Sequence, residues 1–126
     1  MKVSILKQGN YLIVHVQYVL TNDDLMLMHD RLIHQVGENR SSGVILDVSG
    51  LDMLDSFSSS LLRELAQILR LRGARTVIVG IQPDVAFSMV QLGMVRKLIG
   101  VATALDLEDG LAFLDLTKGN RRPSSW

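Results

Sequence analysis

The stretch that decides the fold covers residues 43–60 and reads GVILDVSGLDMLDSFSSS. Its first part, residues 43–48, is an apolar run rich in β-branched side chains. Such a run is typical of a strand that is covered on both faces of a sheet. After a polar turn, Phe57, Leu61 and Leu65 repeat at helical spacing. The stretch therefore predicts a buried strand that leads through a short turn into an amphipathic helix.

Four serines and two carboxylates crowd this predicted turn. The carboxylates are Asp52 and Asp55, and the first serine, Ser56, stands where the helix is expected to begin. At a helix N-terminus the free backbone N–H groups and the dipole favour an anion, so a hydroxyl there is well placed to carry a phosphate. The residues alone favour an ordinary N-cap role for Ser56, worth about 1 kcal/mol. The serines at 58–60 are weaker candidates for modification, because hydroxyls are common in a first helical turn.

The chain before this stretch predicts a β-hairpin and a helix. Strand patterns at residues 3–7 and 11–17 flank the turn pair Gly9-Asn10, which favours antiparallel pairing. A helix with a side-chain cap and acids in its first turn is expected to begin at Thr21 and to end near residues 37–39. Its apolar stripe consists of Leu25, Met28, Leu32 and Val36.

The chain after this stretch alternates between strands and helices. The predicted elements are a buried strand at residues 76–79, a helix that begins at Pro83 and is ended by Gly93, a short edge strand within residues 99–104, and a last helix that Asp106 caps and that reaches about Leu116. The order ββαβαβα(β)α implies parallel pairings after an antiparallel start. We therefore expect an α/β fold, with a mixed, mostly parallel β-sheet, about four helices packed on it and an N-terminal hairpin.

Composition limits the classes of function. The chain has 126 residues, 48% of them hydrophobic, which suits a single globular domain. Thirteen Lys and Arg residues balance thirteen Asp and Glu residues, so we expect no nucleic-acid partner and no anionic-membrane partner. Cysteine is absent, which excludes disulfides and thiolate chemistry. No apolar run is long enough for a membrane span, so the expected location is cytoplasmic.

Motifs for catalysis, cofactors and metals are missing. No glycine-rich phosphate-binding loop follows a strand, and Ser56 does not lie in a Gly-x-Ser-x-Gly elbow. His29 and His34 are five residues apart, about 140° around a helix, so they do not jointly hold a metal. His15 is interpreted as a surface or half-buried polar residue. We therefore expect no catalytic residues, no cofactor and no metal.

Residues 44–56 resemble the core of a STAS domain, the fold of anti-sigma-factor antagonists, in which a hydrophobic strand leads to an Asp-Ser pair at a helix N-terminus. Two further stretches, VGIQP at 79–83 and TALDLEDGL at 103–111, make the resemblance specific to one subfamily. Together with Asp55-Ser56-Phe57 they resemble the small RsbS-type antagonist of the stressosome, a bacterial stress-sensing scaffold. The resemblance implies a STAS (SpoIIAA-like) domain over residues 1–117. Residues 118–126 lie outside it and lack an apolar period, so we expect a mobile tail there.

The resemblance also implies a non-enzymatic switch. In this family a serine kinase of the GHKL type phosphorylates the antagonist serine, which by motif position is Ser56. The unmodified scaffold sequesters that kinase and the modified scaffold releases it, until a phosphatase acting on Ser56 restores the first state. Further implied partners are sensory STAS co-antagonists and other copies of the chain in a large complex. The candidate kinase contacts are Asp52, Asp55, Phe57 and Gln82; core packing is an equally open role for Phe57.

Two other functions remain open at this point. The same fold serves direct anti-anti-sigma factors, which bind an anti-sigma kinase, and the identity of the partner distinguishes the two. A small α/β enzyme or ligand-binding domain using Asp47, Asp52 and Ser56 is the third possibility. It lacks a histidine, lysine or glycine loop at the required place.

Overall fold

The computed structural model describes residues 3–17, 21–52, 54–98 and 100–120 of the chain. Its elements, in chain order, are β1 (Val3–Gln8), β2 (Tyr11–Gln17), α1 (Asn22–Asn39), β3 (Gly43–Gly50), α2 (Ser56–Leu71), β4 (Arg75–Val79), α3 (Pro83–Gln91), a 3₁₀ helix (Met94–Leu98), β5 (Ala102–Ala104) and α4 (Leu107–Asn120).

The strands form one mixed sheet in the order β1-β2-β3-β4-β5. β1 pairs with β2 in antiparallel register, with Val3 opposite Val16 and Gln8 opposite Tyr11. The pairs β2–β3, β3–β4 and β4–β5 are parallel. The predicted hairpin and the predicted mostly parallel sheet are therefore both confirmed, and β3 lies at the centre of the sheet.

Helix α1 begins and packs as its sequence predicts. The Thr21 side chain accepts a hydrogen bond from Asp24 N–H, and the Asp24 side chain accepts one from Thr21 N–H, so the two residues form a capping box. All four residues of the predicted apolar stripe are buried: Leu25, Met28, Leu32 and Val36. The face of α1 that the spacing of these apolar residues predicts to be buried is therefore the face that packs in the core.

The helices divide unequally between the two faces of the sheet. Side chains of α1, α2 and α3 pack in one large cluster against the face that carries Val14, Leu46 and Ile78. The opposite face carries Ile45 and Val77, and there the buried cluster includes Leu114 of α4 and, at its border, neighbouring α4 side chains. Successive strand residues point to opposite faces. The apolar run of β3 thus supplies both clusters at once.

Close approach and a polar contact fix α4 on its face. A Cβ atom added at Gly110 would lie 2.8 Å from Val79 Cγ1, so glycine allows the helix backbone to lie directly on the sheet. Further along the helix, the Tyr11 hydroxyl donates a hydrogen bond to Asp115 at 2.5 Å. Burial, together with this bond and the Asp115 charge, raises the pKa of Tyr11 to about 12. The hydroxyl is therefore a permanent donor at neutral pH.

The structure differs from the sequence-based expectation near the C-terminal half. The edge strand is limited to Ala102–Ala104, and the preceding 3₁₀ helix was not predicted. Helix α4 continues to Asn120, past the predicted domain end at 117. Residues 121–126 of the predicted mobile tail lie outside the described residues.

Among the described helices, α4 is the one whose buried side chains pack on the sheet face that carries Ile45 and Val77, and this leads to a stability prediction. Leu114 is 2% exposed and Leu116 is 67% exposed on the same helix. We expect Leu114→Ala to lower the free energy of unfolding by about 2–5 kcal/mol, because it opens a cavity under α4. Leu116→Ala is the matched control and should change it by no more than about 0.5 kcal/mol. Chemical denaturation measures both, and equal losses would contradict the assignment of the two faces.

Candidate functional site

Asp55, not Ser56, is the N-cap of helix α2. The Asp55 backbone is extended, and its carboxylate Oδ1 accepts a hydrogen bond from Ser58 N–H at 2.7 Å. The Asp55 carbonyl accepts the first helical bond, from Ser59 N–H at 2.9 Å. The expected N-cap role of Ser56 is therefore wrong. A carboxylate satisfies the cap, and the serine after it becomes the first helical residue.

Ser56 is consequently exposed and free of a structural role. Its side chain lies at the surface, and no hydrogen bond joins it to another residue in the ranges that the structure describes. The N–H group that a capping serine would bind is already taken by Asp55. The hydroxyl is thus available to a visiting protein without loss of the cap.

The other serines of the cluster differ in accessibility. Ser59 is fully buried, and its Oγ has no hydrogen-bond partner among the described residues. Ser58 is partly buried and gives its N–H to the cap, whereas Ser60 is exposed. Burial removes Ser59 from the candidates for modification. Ser56 and Ser60 are the two open hydroxyls of the first turn.

Two further candidates flank this hydroxyl. Phe57 is 39% exposed, so of the two roles left open for it core packing is wrong, and the buried positions of the helix are Ser59, Leu61, Leu62, Leu65 and Leu69. Asp52 is also exposed, and Met53 lies outside the described residues. The side chains of Asp52, Asp55, Ser56 and Phe57 therefore all reach the surface around the start of α2.

The cap keeps Asp55 ionised. Hydrogen bonds from the Ser58 backbone and side chain lower the pKa of Asp55 below its ordinary value of 3.8, against a smaller opposing effect of burial. At neutral pH the turn therefore carries a full negative charge one residue before Ser56. A phosphate on Ser56 would add a second charge beside it.

Gln82 ties the start of α3 to the end of β3. Its Nε2 donates a hydrogen bond to the Ser49 carbonyl at 2.6 Å, while the side chain stays exposed. Gly80, at φ +78°, allows this approach, since a Cβ atom there would lie 2.9 Å from Ser49 Cβ. The loop after β4 therefore lies beside the β3 end that leads to Ser56, as the parallel strands predict.

His15 and Asp47 form a pair that sequence reasoning missed, on the sheet face that α4 covers. His15 Nδ1 is 3.1 Å from Asp47 Oδ2, and Asp47 Oδ1 accepts a hydrogen bond from Ser49 N–H at 3.0 Å. Burial tends to raise the pKa of Asp47, but the Ser49 hydrogen bonds and His15 together lower it below 3.8. The register that places His15 beside Asp47 in the β2–β3 ladder is the signal that identifies this pair.

The positions of Asp47 and Ser56 do not fit the hypothesis of an enzyme that uses Asp47, Asp52 and Ser56 together. Asp47 shares the sheet face of Ile45, on which α4 packs, whereas α2 packs on the face of Leu46. Asp47 therefore does not converge with Ser56 on one pocket. Across the described ranges, no group of three or more His, Cys, Asp or Glu side chains is placed to hold a metal ion.

None of the helices in the part of the chain that the structure describes is both long and apolar enough to cross a bilayer.

Comparison with known proteins identifies relatives along nearly the whole chain. The STAS domain family matches residues 2–110. Two curated proteins of Bacillus subtilis (strain 168), the RsbT co-antagonist proteins RsbRA and RsbRC, are 27% and 30% identical over 88 residues. These alignments cover 64% and 65% of this chain. The chain spans about a third of the length of those relatives, at 32% and 31%.

Solved structures show the same fold. A serine-to-glutamate variant of Moorella thermoacetica RsbS superposes with a TM-score of 0.77 at 29% identity, and the match covers 94% of this chain and 99% of that one. A chain of the stressosome gives a TM-score of 0.72 at 32% identity, with 91% and 98% covered. The unphosphorylated anti-sigma factor antagonist SpoIIAA, at 13% identity and a TM-score of 0.66, shares the fold.

The cap geometry leads to a prediction that depends on pH. At neutral pH we expect Asp55→Ala to lower the free energy of unfolding by about 1 kcal/mol, because Ser58 N–H loses its acceptor. The folded-state pKa of Asp55 is lowered, so the contribution of its charge is present above its ordinary value of 3.8 and is lost as the pH falls below it. The difference between variant and wild type should therefore shrink in acid.

Denaturation curves at pH 7 and pH 3 measure this difference. The matched control is Asp52→Ala, which removes an exposed carboxylate three residues before the cap. An Asp52→Ala loss as large as that of Asp55→Ala, or an unchanged difference in acid, would contradict the assignment of the cap.

Proposed function

Because this chain belongs to the STAS domain family, and its fold is that of RsbS and of anti-sigma factor antagonists, we propose that it is a phosphorylation-switched antagonist and scaffold subunit of a bacterial stressosome. In this proposal the unmodified chain sequesters a serine kinase of the GHKL type. Phosphorylation of Ser56 by that kinase releases it, and a phosphatase acting on Ser56 resets the switch. The chain itself acts as a binding protein rather than an enzyme.

One observation carries the proposal: the Ser56 hydroxyl is exposed while Asp55 performs the capping. A kinase needs an accessible hydroxyl on a segment that can accept a charged group. Phosphate at the first helical position lies close to the N–H groups at the start of α2 and to the positive end of its dipole. The fold should therefore tolerate the modification.

The charge around Ser56 explains how modification would end binding. Phosphorylation adds roughly −1.5 to −2 charge at neutral pH. Asp55 is ionised and Asp52 is exposed nearby, so the new charge increases an already negative surface. A partner that has adapted to two carboxylates then meets nearly twice that negative charge, and like charges across an interface cost binding energy. The switch thus works through surface potential and not through unfolding.

The contact surface for the kinase would include both sides of the switch. Phe57 offers an exposed apolar ring next to Ser56. Gln82 is held against the end of β3 and stays exposed. Phe57 next to Ser56 and Gln82 at the end of β3 would both be contacted by a partner that binds along this edge of the sheet. We assign Asp52, Asp55, Phe57 and Gln82 to this surface.

The proposed assembly partners come from the relatives. Two of them are named as co-antagonists, and a chain with the same fold occurs in the stressosome. We propose that this chain assembles with sensory STAS co-antagonists and with further copies of itself in a large complex. Identities of 29% and 32% to the stressosome-type chains, against 13% to SpoIIAA, favour this role over that of a direct anti-anti-sigma factor.

Substitution of Ser56 tests the switch. Incubation with the cognate kinase and ATP should place one phosphate on wild type and none on Ser56→Ala. Ser56→Ala should keep the kinase bound in the presence of ATP, and Ser56→Asp should weaken capture by about tenfold or more, because it adds a charge at the contact. Phosphosite mass spectrometry and kinase pull-down measure these outcomes.

Ser60→Ala is the matched control, because Ser60 is the other exposed serine in the first turn of α2. It should be phosphorylated and should release the kinase like wild type. Phosphorylation of Ser56→Ala at the wild-type level would refute the assignment of the site. Co-purification with an anti-sigma kinase in a small complex, without sensory STAS proteins, would support the direct anti-anti-sigma role instead.

A further inference from the structure

A groove runs beside the second half of α2. It has a volume of about 280 Å³, and its lining includes Arg63, Gln67, Arg70, Leu71, Gly100 and Val101. We call it the α2 groove. This volume lies at the lower end of the range of about 300–1,000 Å³ that is usual for small-molecule pockets, so the chemistry of the lining has to identify the occupant.

The α2 groove combines positive charge with apolar surface. Arg63 and Arg70 are exposed, and neither forms a salt bridge with a carboxylate in the described ranges. Leu71, beside them, is 87% exposed. Glu64 follows Arg63 on the helix but does not line the groove. An uncovered leucine in the same groove as two arginines is complementary to a segment that carries both leucine and acidic side chains.

The chain itself presents such a segment where β5 leads into α4. Residues 105–109 read LDLED, and all of them are exposed. Leu105 is 78% exposed, while Asp106 uses its carboxylate to cap α4 through Asp109 N–H at 2.9 Å. Glu108 and Asp109 form no salt bridge with the described residues. We call residues 105–109 the acidic corner.

The two surfaces lie at opposite ends of β5. Gly100 and Val101 of the α2 groove precede the strand, and Leu105 of the acidic corner follows it. At about 3.3 Å per residue, the strand holds them roughly 10 Å or more apart along its axis. One chain therefore does not bring its own corner into its own groove. A neighbouring copy can do so, and the zero net charge opposes no approach between copies.

We propose that the acidic corner of one copy docks in the α2 groove of the next, so that Leu105 covers Leu71 and the corner carboxylates face Arg63 and Arg70. The inference rests on the self-association proposed above and gives it a surface. The contact joins two different patches and is therefore heterologous. Such contacts repeat from copy to copy and build rings or extended assemblies.

Charge exchange tests the pairing. One variant is Arg63→Glu/Arg70→Glu and the other is Glu108→Lys/Asp109→Lys. Each variant alone places like charges in both patches, so its self-association should weaken at least about tenfold relative to wild type. Mixed in equal amounts, the two variants again offer opposite charges at every contact, so association should return. Sedimentation velocity of the full chain over a range of concentrations measures all three samples.

Two controls separate this pairing from general effects of charge and folding. Lys7→Glu reverses an exposed charge on β1, at the other edge of the sheet, and should associate like wild type. Leu105→Ser removes the exposed leucine without changing charge and should weaken association. Circular dichroism and thermal unfolding show that each variant is folded.

The results decide between occupants of the groove. A wild-type chain that stays monomeric at all concentrations, or charge variants that associate like wild type, would overturn the proposal. So would a mixture of folded variants that does not regain association, since the groove would then serve another partner. Phosphorylation of Ser56 in the charge variants is measured in parallel. If the kinase does not phosphorylate Ser56, the proposed switch fails but the proposed contact between copies is not affected. If the kinase does phosphorylate it, the sedimentation results still decide the contact by themselves.

Discussion

The hydrogen bond from Ser58 N–H to the Asp55 carboxylate, 2.7 Å long, determines what the start of α2 can do. It satisfies the helix end with a carboxylate, which is not the group that a serine kinase modifies, and leaves the following hydroxyl exposed. A serine at the cap would present its oxygen already engaged with a helix N–H group. In the proposed function, this division of roles between Asp55 and Ser56 separates stability from signalling, so that a phosphate on Ser56 leaves the cap intact.

The parallel strands bring the rest of the site to the same edge. β3 ends at Gly50 and β4 at Val79, and the loops after them are joined by the bond from Gln82 to the Ser49 carbonyl. On the opposite face, Asp47 holds the Ser49 backbone and faces His15. The end of β3 is thus anchored from both sides, and the segment that leads to Ser56 begins from a fixed point.

Charge in this protein is separated rather than absent. The totals of acidic and basic residues are equal, yet the start of α2 and the acidic corner are negative, while the α2 groove carries exposed arginines. A chain with this distribution can carry a negative switch surface and still attract further copies through other patches. Under the proposed function, capture of a kinase and assembly with further copies therefore use different surfaces.

The sequence by itself determined the order of the main helices and strands, the hairpin, the side-chain cap of α1 and the position of Ser56 near a helix start, because apolar period and turn residues are local signals. It did not decide which of Asp55 and Ser56 caps the helix, since both residue types favour that position and only the backbone geometry selects one. Nor could it place Phe57 at the surface or pair His15 with Asp47. Exposure and cross-strand contact depend on how elements distant in sequence pack together, and that is a property of the tertiary structure.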